Sequence, residues 1–218
     1  MRYCNLAVAA TLCACGTALA QVDPPPTWGQ DDGASLSLSY TFPTDAFQPV
    51  PDLSVAWDGW EGVVWSEGTV KWMPSLTDHN GVWGLPENDT GERVLGRLYA
   101  FIWNGILRPE KQVWYQFDVY VGPKSTYDLD VSTAYGFTIG PDTKKSEPLD
   151  NGWERITGSF SIFPQPPWEQ FYLEFSTDPG GGPVAFDNFH IHTHCVPTPT
   201  TVALFSLAGL GAALRRRR

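Results

Sequence analysis

The sequence has few charged residues and few histidines, but it is rich in aromatic residues. Charged residues make up 17% of the 218 positions, and there are four histidines, whereas aromatic residues reach 14% and include ten tryptophans. Disordered chains are poor in aromatic residues, so the composition predicts a folded protein. The formal net charge of −10 argues against a nucleic-acid-binding protein, which needs a basic surface to displace counterions.

Cysteine is almost absent from the centre of the chain. Cys4, Cys13 and Cys15 lie among the first twenty residues, and Cys195 lies close to the C-terminal end. No disulfide framework can therefore hold the central part together. At this size a hydrophobic core can stabilise a domain without disulfides.

Helical periodicity is also missing between residues 21 and 194, where no segment keeps a helical repeat over three turns. Instead, apolar runs of strand length are separated by Gly, Pro, Asn and Asp. Residues 35–194 are therefore predicted to form an antiparallel β-sandwich. The predicted strands are 35–42, 53–57, 62–65, 69–73, 94–103, 112–121, 127–139, 153–163, 170–176 and 184–192.

The N-terminal segment predicts export. Residues 1–20 have a positive start at Arg2, an apolar helix-forming centre and a small-residue cleavage site ending at Ala20, as in a secretory signal peptide. Residues 21–34 are rich in Pro and Asp and predict an extended leader.

The C-terminal segment, residues 195–218, has the composition of a membrane tail. An apolar run at 200–214 would rise about 22 Å as a helix, close to the short limit for crossing a bilayer. Four arginines follow it and would hold the C-terminus in the cytoplasm. The domain before the tail is then expected on the outer side of the membrane.

This tail resembles the PEP-CTERM sorting signal of Gram-negative bacteria. The matching residues are Val196, Pro197, Pro199, the glycine-containing apolar helix and the terminal cluster Arg215, Arg216, Arg217 and Arg218, while Thr198 replaces the usual glutamate. The resemblance implies processing near the proline motif by an exosortase, a membrane-embedded cysteine protease, and a host that makes exopolysaccharide. A permanently anchored single-span protein is the alternative.

The last predicted strand changes phase. Val184 and Phe186 share one face, and Phe189 and Ile191 share a face that is shifted by one residue, which predicts a β-bulge near Asp187. With that bulge, VAFDNFHI resembles the closing strand of galactose-binding-like carbohydrate-binding jelly rolls, and residues 151–163 resemble the strand before it.

This second resemblance implies a jelly-roll-like fold and a structural calcium ion ligated by Asp187. The acidic leader, with Asp23, Asp31 and Asp32, could supply further oxygens. The alternative is that Asp187 and Asn188 satisfy backbone groups at the bulge.

His190, His192 and His194 are two residues apart and should share one face of a strand. Neighbouring residues on such a face lie about 7 Å apart, too far for all three rings to reach one metal ion without bending. We therefore expect these histidines at a solvent-facing strand end.

The tryptophans suggest a ligand. Sugar rings present apolar C–H faces that stack on flat aromatic rings, and their hydroxyl groups need polar partners. The strongest candidates for such a platform are Trp60, Trp83 and Trp114. The alternative is that most of the tryptophans pack in the core or at strand edges.

No sequence motif indicates catalysis, since neither a nucleophile elbow, a metal-ligand motif nor a phosphate-binding loop is present. The expected function is therefore that of an exported, non-catalytic protein at the cell surface or in the extracellular matrix, with exopolysaccharide as a candidate ligand. The alternatives are a small carbohydrate-active enzyme on the same fold and a structural matrix protein without a ligand.

Overall fold

The structure, a computed structural model, describes residues 35–45, 53–55, 62–104 and 109–196; in 53–55 and 62–67 it describes the strand backbone alone. These residues form antiparallel β-strands and a single 3₁₀ turn, Asp150–Gly152. The strands are β1 Ser35–Tyr40, β2 Leu53–Val55, β3 Gly62–Gly68, β4 Lys71–Leu76, β5 His79–Leu85, β6 Val94–Trp103, β7 Glu110–Val121, β8 Ser125–Thr133, β9 Thr138–Ile139, β10 Lys145–Pro148, β11 Trp153–Phe163, β12 Trp168–Thr177 and β13 Val184–Val196.

The strands form two sheets. The larger sheet has nine strands with the main order β10-β11-β7-β13-β1-β2, and the smaller sheet has four in the order β3-β6-β12-β8. The longest pairings join β7 to both β11 and β13, and join β12 to both β6 and β8. The prediction of an antiparallel β-sandwich is confirmed.

A single large core fills the space between the sheets. Alternate residues of each strand point into it because side chains along a strand alternate between its two faces. On β7, for example, Tyr115 and Phe117 are fully buried and contact Phe171 and Tyr127 of the opposite sheet. Tyr115 packs edge-on against Phe171, with ring centroids 5.9 Å apart. The aromatic content of the sequence thus supplies much of the apolar contact between the sheets.

A second, smaller core lies on the outer side of the nine-stranded sheet. The hairpin formed by β4 and β5 folds over this side, so that Val82 packs with Trp153 and Ala185. The indole Nε1 of Trp153 donates a hydrogen bond to Thr77 Oγ1 at the hairpin turn, at 2.6 Å. The hairpin therefore covers one end of the outer face.

The bulge predicted in β13 is confirmed. The register between β13 and β7 shifts between Asp187 and His190, and Asn188 has a positive φ of 49°. Val184, Phe186, Phe189 and Ile191 consequently all point into the main core. One extra residue is enough to bring two out-of-phase apolar pairs onto the same face.

The shared face of the three β13 histidines follows from the same register, since His190, His192 and His194 stand opposite Gln116, Trp114 and Gln112 of β7. Their predicted exposure to solvent is wrong for His192 and His194, which are 4% and 9% exposed, and His190 is only partly exposed.

The predicted strands need correction in three places. No strand was predicted at 79–85 or at 145–148, where the chain forms β5 and β10, and the turn before β5 lies at Thr77 and Asp78. The predicted strand 127–139 is divided into β8 and β9. In the part of the chain that the structure describes, no helix is long and apolar enough to cross a membrane. The leader, the signal peptide and the C-terminal tail from Pro197 onward lie outside the described residues.

Candidate functional site

The outer side of the four-stranded sheet carries a row of aromatic side chains. On β6 the residues Leu98, Ala100 and Ile102 enter the core, so the alternate residues face outward. β12 alternates in the same way and lies beside β6 in antiparallel register. The resulting group, called the aromatic face below, consists of Tyr99, Phe101, Trp103, Trp168 and Tyr172.

The rings of the aromatic face contact one another. Phe101 stacks on Trp168 with ring centroids 5.3 Å apart and planes 27° apart, and Trp103 meets the edge of Phe101 at 4.6 Å. Tyr99 and Tyr172 form an edge-to-face pair at 5.3 Å. Trp103 is the most accessible of the five, with 46% of its surface exposed, whereas Tyr99 is only 8% exposed and supports Tyr172 from below. These contacts hold the rings in fixed orientations, as a preformed stacking surface requires.

Polar groups accompany the rings. The hydroxyl of Tyr172 accepts a hydrogen bond from Ser132 Oγ at 2.9 Å and donates one to Gln170 Oε1 at 3.0 Å. At the other end of the face, Arg97 Nε lies 2.6 Å from Glu174 Oε1. Both side chains of this ion pair are about half exposed, so they remain available to a ligand. The face therefore combines ring surfaces with hydrogen-bond donors and acceptors.

A cavity of about 240 Å³ adjoins the Arg97 end of the aromatic face. It is lined by Gly68, Leu95, Gly96, Arg97, Glu174 and Phe175. From this cavity to Trp103 the face follows six residues of β6, a distance of about 20 Å at the rise of a β-strand. A surface of this length suits an extended chain of several rings.

The charge on this side of the sheet is mainly negative. On β8, Asp128 and Asp130 are exposed and stand opposite Glu174 and Tyr172 of β12. Arg97 is paired with Glu174 and offsets one of these charges. An acidic surface repels polyanions and tolerates neutral or positively charged ligands.

The tryptophans singled out from the sequence lie elsewhere. Trp83 is 5% exposed in β5 and packs in the main core, and Trp114 is 7% exposed on the outer side of β7. Neither ring therefore offers an open stacking surface. Trp60 lies outside the described residues. The structure does not bring these three residues together in one described site.

Asp187 lies beside the bulge in a buried polar cluster. Its Oδ2 accepts a hydrogen bond from His79 Nδ1 at 2.7 Å, and its Oδ1 accepts one from the backbone N–H of Asn188 at 2.7 Å. The His79 ring stacks on Trp153 with centroids 3.8 Å apart. Burial raises the pKa of the Asp187 carboxyl above its usual value, and the hydrogen bond from His79 offsets part of that rise.

A second carboxylate completes this cluster. Asp118, which stands opposite Asp187 in register, accepts hydrogen bonds from Arg155 Nε at 2.8 Å and from Asn188 Nδ2 at 2.8 Å. Calcium requires six to eight oxygen ligands, whereas here an arginine and a histidine hold the two carboxylates. Within the described ranges no group of three His, Cys, Asp or Glu side chains could hold a metal ion. The calcium ion at Asp187 stays a prediction, since the acidic leader that would supply further oxygens lies outside the described residues.

The bond from Asp187 to the Asn188 backbone agrees with the alternative interpretation, in which polar side chains satisfy the bulge. The aromatic face is not among the sites predicted from the sequence. Its signal was present on β6, where aromatic and polar residues alternate with aliphatic ones. On β12 the inward residues Phe171 and Phe175 are themselves aromatic, which obscures the pattern.

The chain matches no protein-family model and no curated protein.

Proposed function

We propose that the protein is exported and binds glycan non-catalytically at the cell surface or in the extracellular matrix, through the aromatic face. The observation that carries this proposal is the fixed row of rings on the outer side of the four-stranded sheet, with Trp103 46% exposed at its end. Rings held in this way can stack on the C–H faces of sugars, while Gln170 and Ser132 supply hydrogen-bonding groups beside them.

The negative charge beside the aromatic face restricts the class of glycan that can bind there. Asp128, Asp130 and Glu174 would repel the carboxylates of uronic acids or the sulfates of a polyanionic chain. A neutral polysaccharide, or one with amino sugars, is the ligand class that this surface favours. The net negative charge of residues 21–194 also favours a ligand without negative charge, because this part of the chain contains all 24 acidic residues and nine of the 14 basic ones.

The route to the cell surface is a proposal based on the two ends of the sequence. A signal peptide would direct export, and the PEP-CTERM-like tail would hold the chain in the membrane until an exosortase-type protease cuts near Pro197. β13 ends at Val196, the first residue of the sorting motif. The proposed cut would thus fall directly after the last strand of a jelly-roll-like sandwich.

Screening the purified protein against an array of neutral, amino-sugar and uronic-acid glycans tests the binding proposal, and a hydrolysis assay on the same glycans tests the absence of catalysis. We expect retention on neutral or amino-sugar glycans and no cleavage. Cleavage of a glycan would instead support the carbohydrate-active enzyme. Neither binding nor cleavage would support a structural matrix protein.

Sorting is tested by producing the full chain with and without an exosortase and following its size. We expect a shortened product only when the protease is present. Replacing Pro197 and Pro199 by alanine should reduce that processing, whereas replacing Thr200 should leave it largely unchanged. Persistence of the full-length chain with an active exosortase would support the permanently anchored alternative.

A further inference from the structure

A group of three polar side chains, two of them fully buried, joins the two sheets at one end of the sandwich. Lys111 of β7 and Glu169 of β12 are both 0% exposed and form an ion pair. Asn104, just after β6, completes the group. Burying two charges is costly unless they are paired and hydrogen-bonded, so this group is unusual for a sandwich interior.

The three side chains are bonded to one another in a closed triangle. Lys111 Nζ donates hydrogen bonds to Glu169 Oε1 and to Asn104 Oδ1. The side-chain Nδ2 of Asn104 donates a hydrogen bond to Glu169 Oε2 at 2.5 Å. The lysine nitrogen is therefore held against the carboxamide of Asn104, and one carboxylate contacts both nitrogen atoms.

Apolar side chains surround the buried ends of Lys111 and Glu169, whereas Asn104 is partly buried. Lys111 stands opposite Ile162, and Glu169 stands opposite Ile102; both isoleucines are fully buried. The backbone N–H of Asn104 donates to the carbonyl of Pro167 at 2.9 Å, which fixes the end of β6 beside β12. Reacting groups held in contact in this way gain much of the rate that a bimolecular reaction loses to entropy.

We propose that Lys111 and Asn104 join in an intramolecular amide cross-link and that Glu169 catalyses its formation. A lysine amine can act as a nucleophile once it has lost its proton, and a carboxylate in hydrogen-bond contact can take that proton. Glu169 is a catalytic residue here because it touches both the attacking and the leaving nitrogen.

The reaction balances without any other reactant. One proton passes from the Lys111 ammonium to Glu169, and the neutral amine attacks Cγ of Asn104. The bond between Lys111 Nζ and Asn104 Cγ forms, and the bond between Cγ and Nδ2 breaks. The Nδ2 nitrogen leaves as ammonium with the protons released by Lys111, and Glu169 ends as a carboxylate.

The position of the cross-link indicates what it would do in the fold. Lys111 is in register with Cys195 of β13, one residue before the end of that strand. The bond would tie β7, which is the neighbour of β13, to the end of β6 in the other sheet. The two sheets would then be joined covalently at the end of the sandwich from which the C-terminal segment continues.

Tryptic mapping of the denatured full chain tests the proposal. Trypsin does not cut after an acylated lysine, and Arg108 is followed by Pro109. We expect one peptide spanning residues 98–124, lighter than its sequence mass by one ammonia. Complete cleavage after Lys111 in protein that was folded before digestion, as judged by circular dichroism, would overturn the proposal.

A competing reaction also loses ammonia, because Asn104 precedes Gly105 and such pairs can form a cyclic imide. Ammonia loss with normal cleavage after Lys111 would identify the imide and overturn the cross-link. In the Lys111→Arg variant the cross-link should be absent.

Two further variants test the role of Glu169 and the chemistry of the bond. Glu169→Gln should leave Lys111 cleavable, whereas cross-linking in this variant would overturn the catalytic role of Glu169. Asn104→Asp keeps the position of the carbonyl carbon, and its cross-link should form with loss of water instead of ammonia. That change in mass would support the proposal even if Glu169→Gln folds poorly.

Discussion

Arg155 of β11 holds the carboxylate of Asp118 of β7 with two hydrogen bonds, one from Nε at 2.8 Å and one from Nη2 at 3.1 Å. The two residues face each other across neighbouring strands, and both are almost completely buried. This pair connects the outer side of the nine-stranded sheet with the polar cluster at the β13 bulge, because Asn188 also bonds to Asp118.

Removing the arginine of this pair should destabilise the protein strongly. Arg155→Leu leaves the buried Asp118 carboxylate without its ion-pair partner and with the hydrogen bond from Asn188, and we expect a loss of about 3–5 kcal/mol in the free energy of unfolding. Urea denaturation followed by circular dichroism measures the effect. Asp178→Asn removes the charge of the exposed pair between Arg93 and Asp178 while Arg93 keeps its hydrogen bond to Ser176, and it should cost less than about 1 kcal/mol. Equal losses for the two variants would contradict the importance of the buried pair.

The raised pKa of Asp187 predicts a dependence of stability on pH. A carboxyl whose folded-state pKa lies above its unfolded value opposes folding when it ionises. Its favourable contribution is therefore complete below the unfolded value and is lost as the pH rises through the folded pKa. As the pH rises through this range, the wild type should therefore lose unfolding free energy relative to Asp187→Asn.

Urea denaturation of both proteins from acidic to neutral pH measures this difference. Asp89→Asn changes an exposed carboxylate and controls for the loss of one charge. A constant difference across the whole range would contradict the prediction.

Melting the wild type with calcium and with a chelator also tests the cation predicted at Asp187, and a lower melting temperature with the chelator would support a bound cation.

Docking of the β4–β5 hairpin depends on Gly84. A Cβ atom at this position would lie 2.0 Å from the carbonyl oxygen of Val184 in β13. Gly84→Ala must therefore separate the two paired strands, and we expect a loss of at least about 1–3 kcal/mol in the free energy of unfolding. Gly91→Ala, where a Cβ meets nothing within 4 Å, is the matched control. Similar stability of the two variants would contradict the close approach of β5 to β13.

Trp103→Ala should weaken glycan binding by about tenfold or more, because truncating an aromatic anchor removes much of the contact energy of a binding surface. Tyr172→Phe should have a smaller effect, through the loss of the hydroxyl that bonds to Ser132 and Gln170. Calorimetry with the best glycan from the array measures both. Tyr135→Ala removes a fully exposed aromatic side chain from the segment between β8 and β9 and should leave affinity unchanged. If Trp103→Ala and Tyr135→Ala changed the affinity for glycan equally, the glycan would not bind through the aromatic face.

The sequence by itself determined the all-β class and most of the inward-facing positions. Alternation is a local property, so Tyr115 and Phe117 could be assigned to one face of a strand without knowledge of its neighbours. The bulge at Asp187 was equally local, since it followed from the phase change between Phe186 and Phe189.

Only the tertiary structure decided which strands are neighbours. Tyr99 and Tyr172 share a surface because β6 pairs with β12, and Lys111 meets Glu169 because β7 and β12 begin on opposite sides of one interface. The physical reason is that strand pairing and sheet packing join residues that are distant along the chain, whereas alternation specifies two faces without specifying their partners. For the same reason the burial of Trp83 and Trp114 was not visible in the sequence.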